Sequence, residues 1–319
     1  MKRVLLVLGV LVALCSLFDR SVFVYAVASD PITAAQSALD WLVPQQQADG
    51  SFPGFGVGST ADAVLAIVAD ARDPNSIQKN GNSPVTYLAS QAATYASSST
   101  AAAGKLALAV TAAGKDPTNF GEQNLIALIQ GSLNASTGQY GATPLDQSYA
   151  MLGLVSSGQV VPALAITALS QQQLADGGWS FDGTVASGSD TNTTSVAVQA
   201  LVAAGASGDV LSKALSYLEG LQNADGGFPF ATGGETDTNS TAYVIQALVA
   251  LGRDPSTVKK GGNDPMTTLL EAQNDNGSFK SPFAQEDVGA TIQAIPALQR
   301  KAFPLQALRQ TFLPLMRAA

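Results

Sequence analysis

Two five-residue segments carry most of the polar chemistry of this sequence. Asp190-Thr191-Asn192-Thr193-Thr194 and Asp237-Thr238-Asn239-Ser240-Thr241 correspond position by position and lie 47 residues apart. Each opens with a carboxylate, adds a carboxamide two residues on, and continues in hydroxyls. Two readings fit. At a helix start such residues accept bonds from the first-turn N–H groups, which is capping. Around the mouth of a concave apolar site, the same groups would orient a small molecule. Asp62, Asp146 and Asp287 stand near the starts of other apolar runs, and Tyr243 lies one turn beyond Asn239. The candidate ligand-binding set is therefore Asp62, Asp146, Asp190, Asn192, Asp237, Asn239, Tyr243 and Asp287.

Composition narrows the chemistry. The chain has no His and a single Cys, Cys15. Residues 1–28 read as an export signal: Lys2-Arg3 gives the positive start, Val4–Leu17 the apolar stretch, and Ala26-Val27-Ala28 the cleavage site. Lipidation at Cys15 competes with cleavage after Ala28, but Leu14 suits it poorly. Cleavage removes Lys2, Arg3, Arg20 and Asp19, leaving 13 basic against 23 acidic residues and a net charge of −10. The mature chain then has no Cys, so thiolate nucleophiles, imidazole bases, disulfides and ordinary zinc sites drop out. The acidity disfavours a nucleic-acid partner. Nothing beyond the signal is apolar enough over enough residues to span a membrane. A secreted or cell-surface protein is expected, with no metal and no identified cofactor.

The elements that must position the polar segments are repeats. Trp41-Leu42, Gln46 and Gly50-Ser51-Phe52 set a frame that returns at Leu169, Gln173 and Gly177-Gly178-Trp179, at Leu218, Gln222 and Gly226-Gly227-Phe228, and at Leu269, Gln273 and Gly277-Ser278-Phe279. Eroded copies have Asn134 for the Gln, or keep only Tyr87-Leu88 and Gln91. A second register, Leu152-Gly153-Leu154, Gln199-Ala200-Leu201, Gln246-Ala247-Leu248 and Gln293-Ala294-Ile295, advances by 47 residues each time. Leu65-Ala66-Ile67 and Leu106-Ala107-Leu108 extend it. Such a period means stacked supersecondary units, none able to bury its apolar face alone.

Each repeat reads as two helices. First helices are expected near 32–47, 84–96, 122–134, 161–173, 209–223 and 264–274. Second helices are expected near 59–72, 100–113, 145–157, 192–206, 239–252 and 286–300, and a closing helix over 303–319. The second set is Ala- and Gly-rich on several faces and therefore buried. The expected fold is all-α, a six-repeat α/α toroid over 29–319, with the second helices inside and the first outside.

The Leu-x3-Gln-x3-Gly-x-aromatic frame resembles the QW motif of squalene and oxidosqualene cyclases. The six-pair toroid is shared by those cyclases, protein prenyltransferase β subunits, the cobalamin carriers and the thioester domains of complement-like proteins. Class II terpene cyclases carry a D-x-D-D acid motif, which Glu235-Thr236-Asp237-Thr238 matches only in part; the resemblance makes Asp237 the candidate catalytic acid. Gly121-Glu122-Gln123-Asn124 is similar to a thioester motif, but Phe120 stands where that motif has Cys.

These observations support an exported, non-catalytic binding or interaction module with a central cavity, taking cobalamin or an isoprenoid-like ligand, or an extracellular protein partner. Two other readings stand beside it: a terpene-cyclase-like enzyme using Asp237, and a structural surface protein. Phe55, Phe181, Phe230 and Phe283 are expected at the cavity or packed on turns, and Gln199, Gln246 and Gln293 as a column on the inner helices.

Overall fold

The computed structural model describes residues 30–306. The signal with its cleavage after Ala28 lies outside the described residues, and so does the expected closing helix from residue 307 onward. Residues 303–306 are irregular rather than helical, with Phe303 and Leu305 buried.

Among the described residues the order is one α-helix after another, with no strand beyond isolated bridges. The first helices of the pairs are α1 (Pro31–Leu42), α3 (Pro84–Ala96), α5 (Leu125–Gly131), α7 (Ala163–Gln171), α9 (Asp209–Leu221) and α11 (Pro265–Glu271). The second helices are α2 (Val57–Ala69), α4 (Thr100–Ala112), α6 (Pro144–Ser156), α8 (Thr191–Ala203), α10 (Thr238–Ala250) and α12 (Val288–Leu298). Each second helix packs on the next around the series, and α12 returns to α2. The six therefore form a closed inner ring, with the first helices outside.

Sequence explains the two rings. In α8 the whole run Val196–Leu201 is buried, Gln199 included, so no face meets solvent. In α9 only Ala214, Tyr217, Leu218 and Leu221 are buried, at the three- and four-residue spacing of one helical stripe. A fully buried Leu such as Leu218 contributes roughly 1.5–3 kcal/mol. The inner ring tightens most between α4 and α6, where a Cβ on Gly104 would sit 2.2 Å from the Tyr149 carbonyl oxygen.

The repeating Gln is a staple between neighbouring units. Gln173 Nε2 donates to the Gly177 carbonyl at 2.8 Å and to the Val210 carbonyl at 2.9 Å, at the start of α9. Gln222 does the same to Gly226 and Val258, and Gln273 to Gly277 and Ala34. The aromatic residue of each frame is locked from the inner ring: Trp179, Phe228 and Phe279 donate their N–H to Thr194, Thr241 and Thr291. In the third repeat, where Asn134 replaces the Gln, Gln147 of α6 takes over. Its Nε2 reaches the carbonyls of Gly138 and Ala165, while its Oε1 accepts the Tyr140 N–H.

The helix expected from 122 begins at Leu125. Phe120 and Gln123 exchange backbone hydrogen bonds across a tight turn, in which Glu122 has φ of 62°. Gly121-Glu122-Gln123-Asn124 is thus a turn ending in a cap, with Asn124 Oδ1 accepting the Ala127 N–H. No helix among the described residues is long and apolar enough to cross a membrane.

Candidate active-site cavity

The first turns of the inner helices meet at one mouth of the ring. Asp190, Asp237 and Asp287 are N-caps of α8, α10 and α12, accepting N–H groups of Thr193, Asn239 and Ala290.

Behind the caps lies a cavity of two connected halves that share Asn192 and Tyr243 as walls. One half, of about 260 Å³, is largely apolar: Leu145, Tyr149, Phe181, Val196 and Phe230 line it together with Asp190, Thr193 and Lys105. The other, of about 290 Å³, is more polar: Ser59, Asp62, Asn239 and Gln293 line it beside Phe55 and Ile292. Asp62, Tyr149, Val196 and Tyr243 each lie three residues before the Leu or Gln that marks the inner-helix repeat. One register therefore supplies four walls.

Lys105 of α4 and Asp62 of α2 form a sheltered ion pair of 2.9 Å at the cavity wall. The ammonium also lies 4.9 Å from the centre of the Tyr149 ring, within cation–π range. Burial works against the lysine's charge, but the Asp62 carboxylate and the Tyr243 and Tyr95 phenols outweigh it and hold the ammonium above its usual range. Burial, with Asp62 nearby, pushes the Tyr149 phenol up as well, and Tyr243, beside Tyr149, moves the same way. Both phenols stay neutral hydroxyls.

Asp190 differs from the other caps. One oxygen accepts the Thr193 N–H at 2.7 Å, while Oδ2 is buried with no partner among the described residues. The residue is 3 % exposed. Burial raises its carboxyl above the ordinary value, against the lowering effect of the hydrogen bonds from Thr193 and of weaker contacts with the backbone N–H groups of Asn192 and Phe181. A buried carboxyl of this kind favours its protonated form. Asn192 and Asn239 are also left with Oδ1 atoms buried and unpaired.

The remaining candidates stand elsewhere. Asp146 is consumed in a staple: it accepts the Ala101 N–H of α4, the N–H groups of Ala142 and Thr143, and the Thr143 hydroxyl. Asp287 accepts the Ser281 hydroxyl besides its cap bond. Both Asp237 oxygens are engaged by the first turn of α10, Oδ1 by the Asn239 N–H and Oδ2 by the Ser240 hydroxyl, and the residue faces an outer groove with Phe230 and Phe283. Glu235 is exposed in that groove. Read from the cap onward, Asp237-Thr238-Asn239-Ser240 and Asp190-Thr191-Asn192-Thr193 keep only the first acid of a D-x-D-D pattern. Of the inner column, Gln199 accepts the Phe303 N–H, Gln293 lines the polar half, and the Gln246 amide is buried without a partner. The described residues gather no group of three or more acids, His or Cys able to hold a metal ion.

Sequence reasoning missed Lys105 and Tyr149. Lys105 is the one charged residue in the Ala-rich run Thr100–Ala113, which is the signal that marks it.

Comparison with known proteins bears on the fold. Residues 146–299 match the family model described as "Prenyltransferase alpha-alpha toroid domain". No curated protein matches the sequence. Among solved structures, a protein from Actinoplanes aligns at 14 % identity with a TM-score of 0.60, covering 85 % of this chain and 99 % of that one. The type II terpene cyclase MstE from Scytonema aligns at 15 % identity and TM-score 0.52, covering 85 % of this chain and 98 % of that one. The ent-copalyl diphosphate synthase from Streptomyces platensis aligns at 16 % identity and TM-score 0.52, covering 76 % of this chain and 49 % of that one.

Proposed function

We propose that this chain, whose residues 146–299 match the prenyltransferase alpha-alpha toroid domain, is a terpene-cyclase-like enzyme acting on an isoprenoid in the central cavity. The observation that carries this reading is Asp190: a buried carboxyl with one unpaired oxygen, beside an aromatic-walled apolar chamber. A protonated carboxylic acid in such a place is a general acid. Its proton would add to an alkene carbon of the ligand, the π pair forming the C–H bond. The carbocation left behind is attacked by a second alkene of the same molecule, forming the ring C–C bond. A final C–H proton leaves to water at the mouth, so the product is an isomer of the substrate. Phe181, Phe230, Tyr149 and Tyr243 line the same wall, and aromatic faces stabilise cations.

The test is incubation of the protein with squalene, farnesol and geranylgeraniol, followed by gas chromatography and mass spectrometry. Cyclic products isomeric with a substrate are expected, with loss on Asp190→Asn while ligand binding persists. Because the acid form is the active one, the rate falls as pH rises through the raised Asp190 value.

A second reading is non-catalytic binding of the same ligand class. The carboxamides of Asn192 and Asn239, standing where a D-x-D-D pattern has its second acid, favour it. Binding without product over the whole pH range would decide for this reading. Export with cleavage after Ala28 is part of the proposal, and N-terminal sequencing of protein recovered from its producer's medium tests it.

A further inference from the structure

The cavity's polar half has an unusual inventory. Asn192 and Asn239 come from neighbouring helices at equivalent repeat positions, and both border this half. Each keeps its Oδ1 buried without a partner among the described residues. An unpaired buried polar group costs roughly 1–3 kcal/mol, and these two belong to residues that line one cavity. A primary amide offers an acceptor and a donor in nearly the same shape. Its complement is therefore a hydroxyl or amide, which both donates and accepts.

Charge narrows the ligand further. Among the described residues Lys105 is the one basic side chain lining either half, and Asp62 already holds it at 2.9 Å. Among the described residues Asp62 and Asp190 are the carboxylic acids on these walls, in a chain of net charge −8. A diphosphate would meet no free cation, and the described residues assemble no acid cluster able to bring a divalent ion with it. Burying an unpaired polyanion there is strongly unfavourable.

We infer that the isoprenoid taken by this cavity carries an uncharged hydrogen-bonding head, a hydroxyl or amide, held between Asn192 and Asn239 while its hydrocarbon lies against Phe181 and Phe230. This rests on the cavity reading above and names the substrate class within it. It does not require turnover, so it holds for an enzyme and for a binder alike.

The experiment is calorimetric titration of the full chain with farnesol, farnesyl diphosphate and the hydrocarbon farnesene. Farnesol should bind at least about tenfold more tightly than either, the worth of one to two net hydrogen bonds. Asn192→Leu/Asn239→Leu should erase the preference for farnesol over farnesene and leave farnesene binding within about twofold. If the leucine pair does not fold, the nearly isosteric Asn192→Asp/Asn239→Asp pair makes the same test. Two added carboxylates there should turn the preference about tenfold toward farnesylamine over farnesol. Tighter binding of the diphosphate, or variants that leave the head-group preference unchanged, overturns the inference while the cavity reading stands. Absence of binding by all the probes overturns both.

Discussion

At the scale of single residues, the ion pair at the cavity wall makes the sharpest claim. Lys105 and Asp62 are each mostly buried, with side-chain exposures of 16 % and 18 %. Removing one partner of a buried pair leaves the other charge uncompensated, at a cost of about 3–5 kcal/mol. Lys105→Met should lose roughly that much in urea denaturation, and Lys105→Met/Asp62→Leu should regain most of it. The lysine's value is raised in the fold. The pair's contribution is therefore complete below about pH 10.4 and is lost as pH rises through the folded value. Asp190 has the opposite consequence. Its carboxyl is raised by burial, so the fold keeps a proton that the unfolded chain releases, and stability falls as pH climbs above about 3.9 toward the folded value. Asp190→Asn keeps a capping side chain without the charge. It should raise the urea midpoint at pH 7 and lose that advantage near pH 3.5. Asp62, Asp190, Asn192, Asn239 and Tyr243 were legible in the sequence because the repeat register puts them on one rim. Asp146 and Asp287 share the residue type and the helix-start position, yet local turns engage their oxygens. Spacing alone does not report that difference. Lys105 escaped because its repeat is out of frame with the 47-residue register.

Among the elements, the third repeat shows how an eroded motif keeps its geometry. Gln147 occupies the place held by Thr194 and Thr241 in the next repeats, 47 and 94 residues on. It performs the work of both the missing Gln and the Thr. Gln147→Thr should keep the bond to the Tyr140 N–H and lose those to Gly138 and Ala165, at about 1 kcal/mol each by net hydrogen-bond worth. Adding Asn134→Gln should restore part of the loss in the same thermal or urea measurement. The close crossing of α4 and α6 gives a steeper response. Gly104→Ala places a methyl 2.2 Å from a backbone oxygen that cannot swing aside, and overpacking of this kind costs about 1–3 kcal/mol or more. The sequence located the helix pairs well because the aromatic turn, the proline starts and the Ala-rich runs all agree, as α3 shows by matching its expected span residue for residue. It overran at 122–124, where a positive-φ turn precedes the helix. A glycine there is compatible with either a turn or a helix start.

For the whole molecule, closure is the feature that sequence left open and structure settles. Gln273 of the last repeat donates to the Ala34 carbonyl of the first at 2.8 Å, and Gln299 reaches Asp70 at 2.6 Å. A Cβ on Gly277 would lie 2.4 Å from the Ser37 carbonyl oxygen, so the seam is also tightly fitted. Gln273→Ala should speed hydrogen exchange in α1 and α12, read by mass spectrometry, while α6 and α8 across the ring stay protected. The seam also sets the order of assembly. It joins positions 239 residues apart, whereas the other inner-ring helix contacts join consecutive pairs. Chain-closure entropy grows only slowly with length, so the seam is affordable at equilibrium, but contacts this distant form late. Until they form, the molecule is an open crescent whose two raw ends present Leu39, Leu42, Ile292 and Ile295, all buried in the closed ring. Those ends are complementary to each other within one chain and equally between two chains. Refolding yield should therefore fall steeply with protein concentration, because a second crescent competes with the chain's own far end for the same apolar faces.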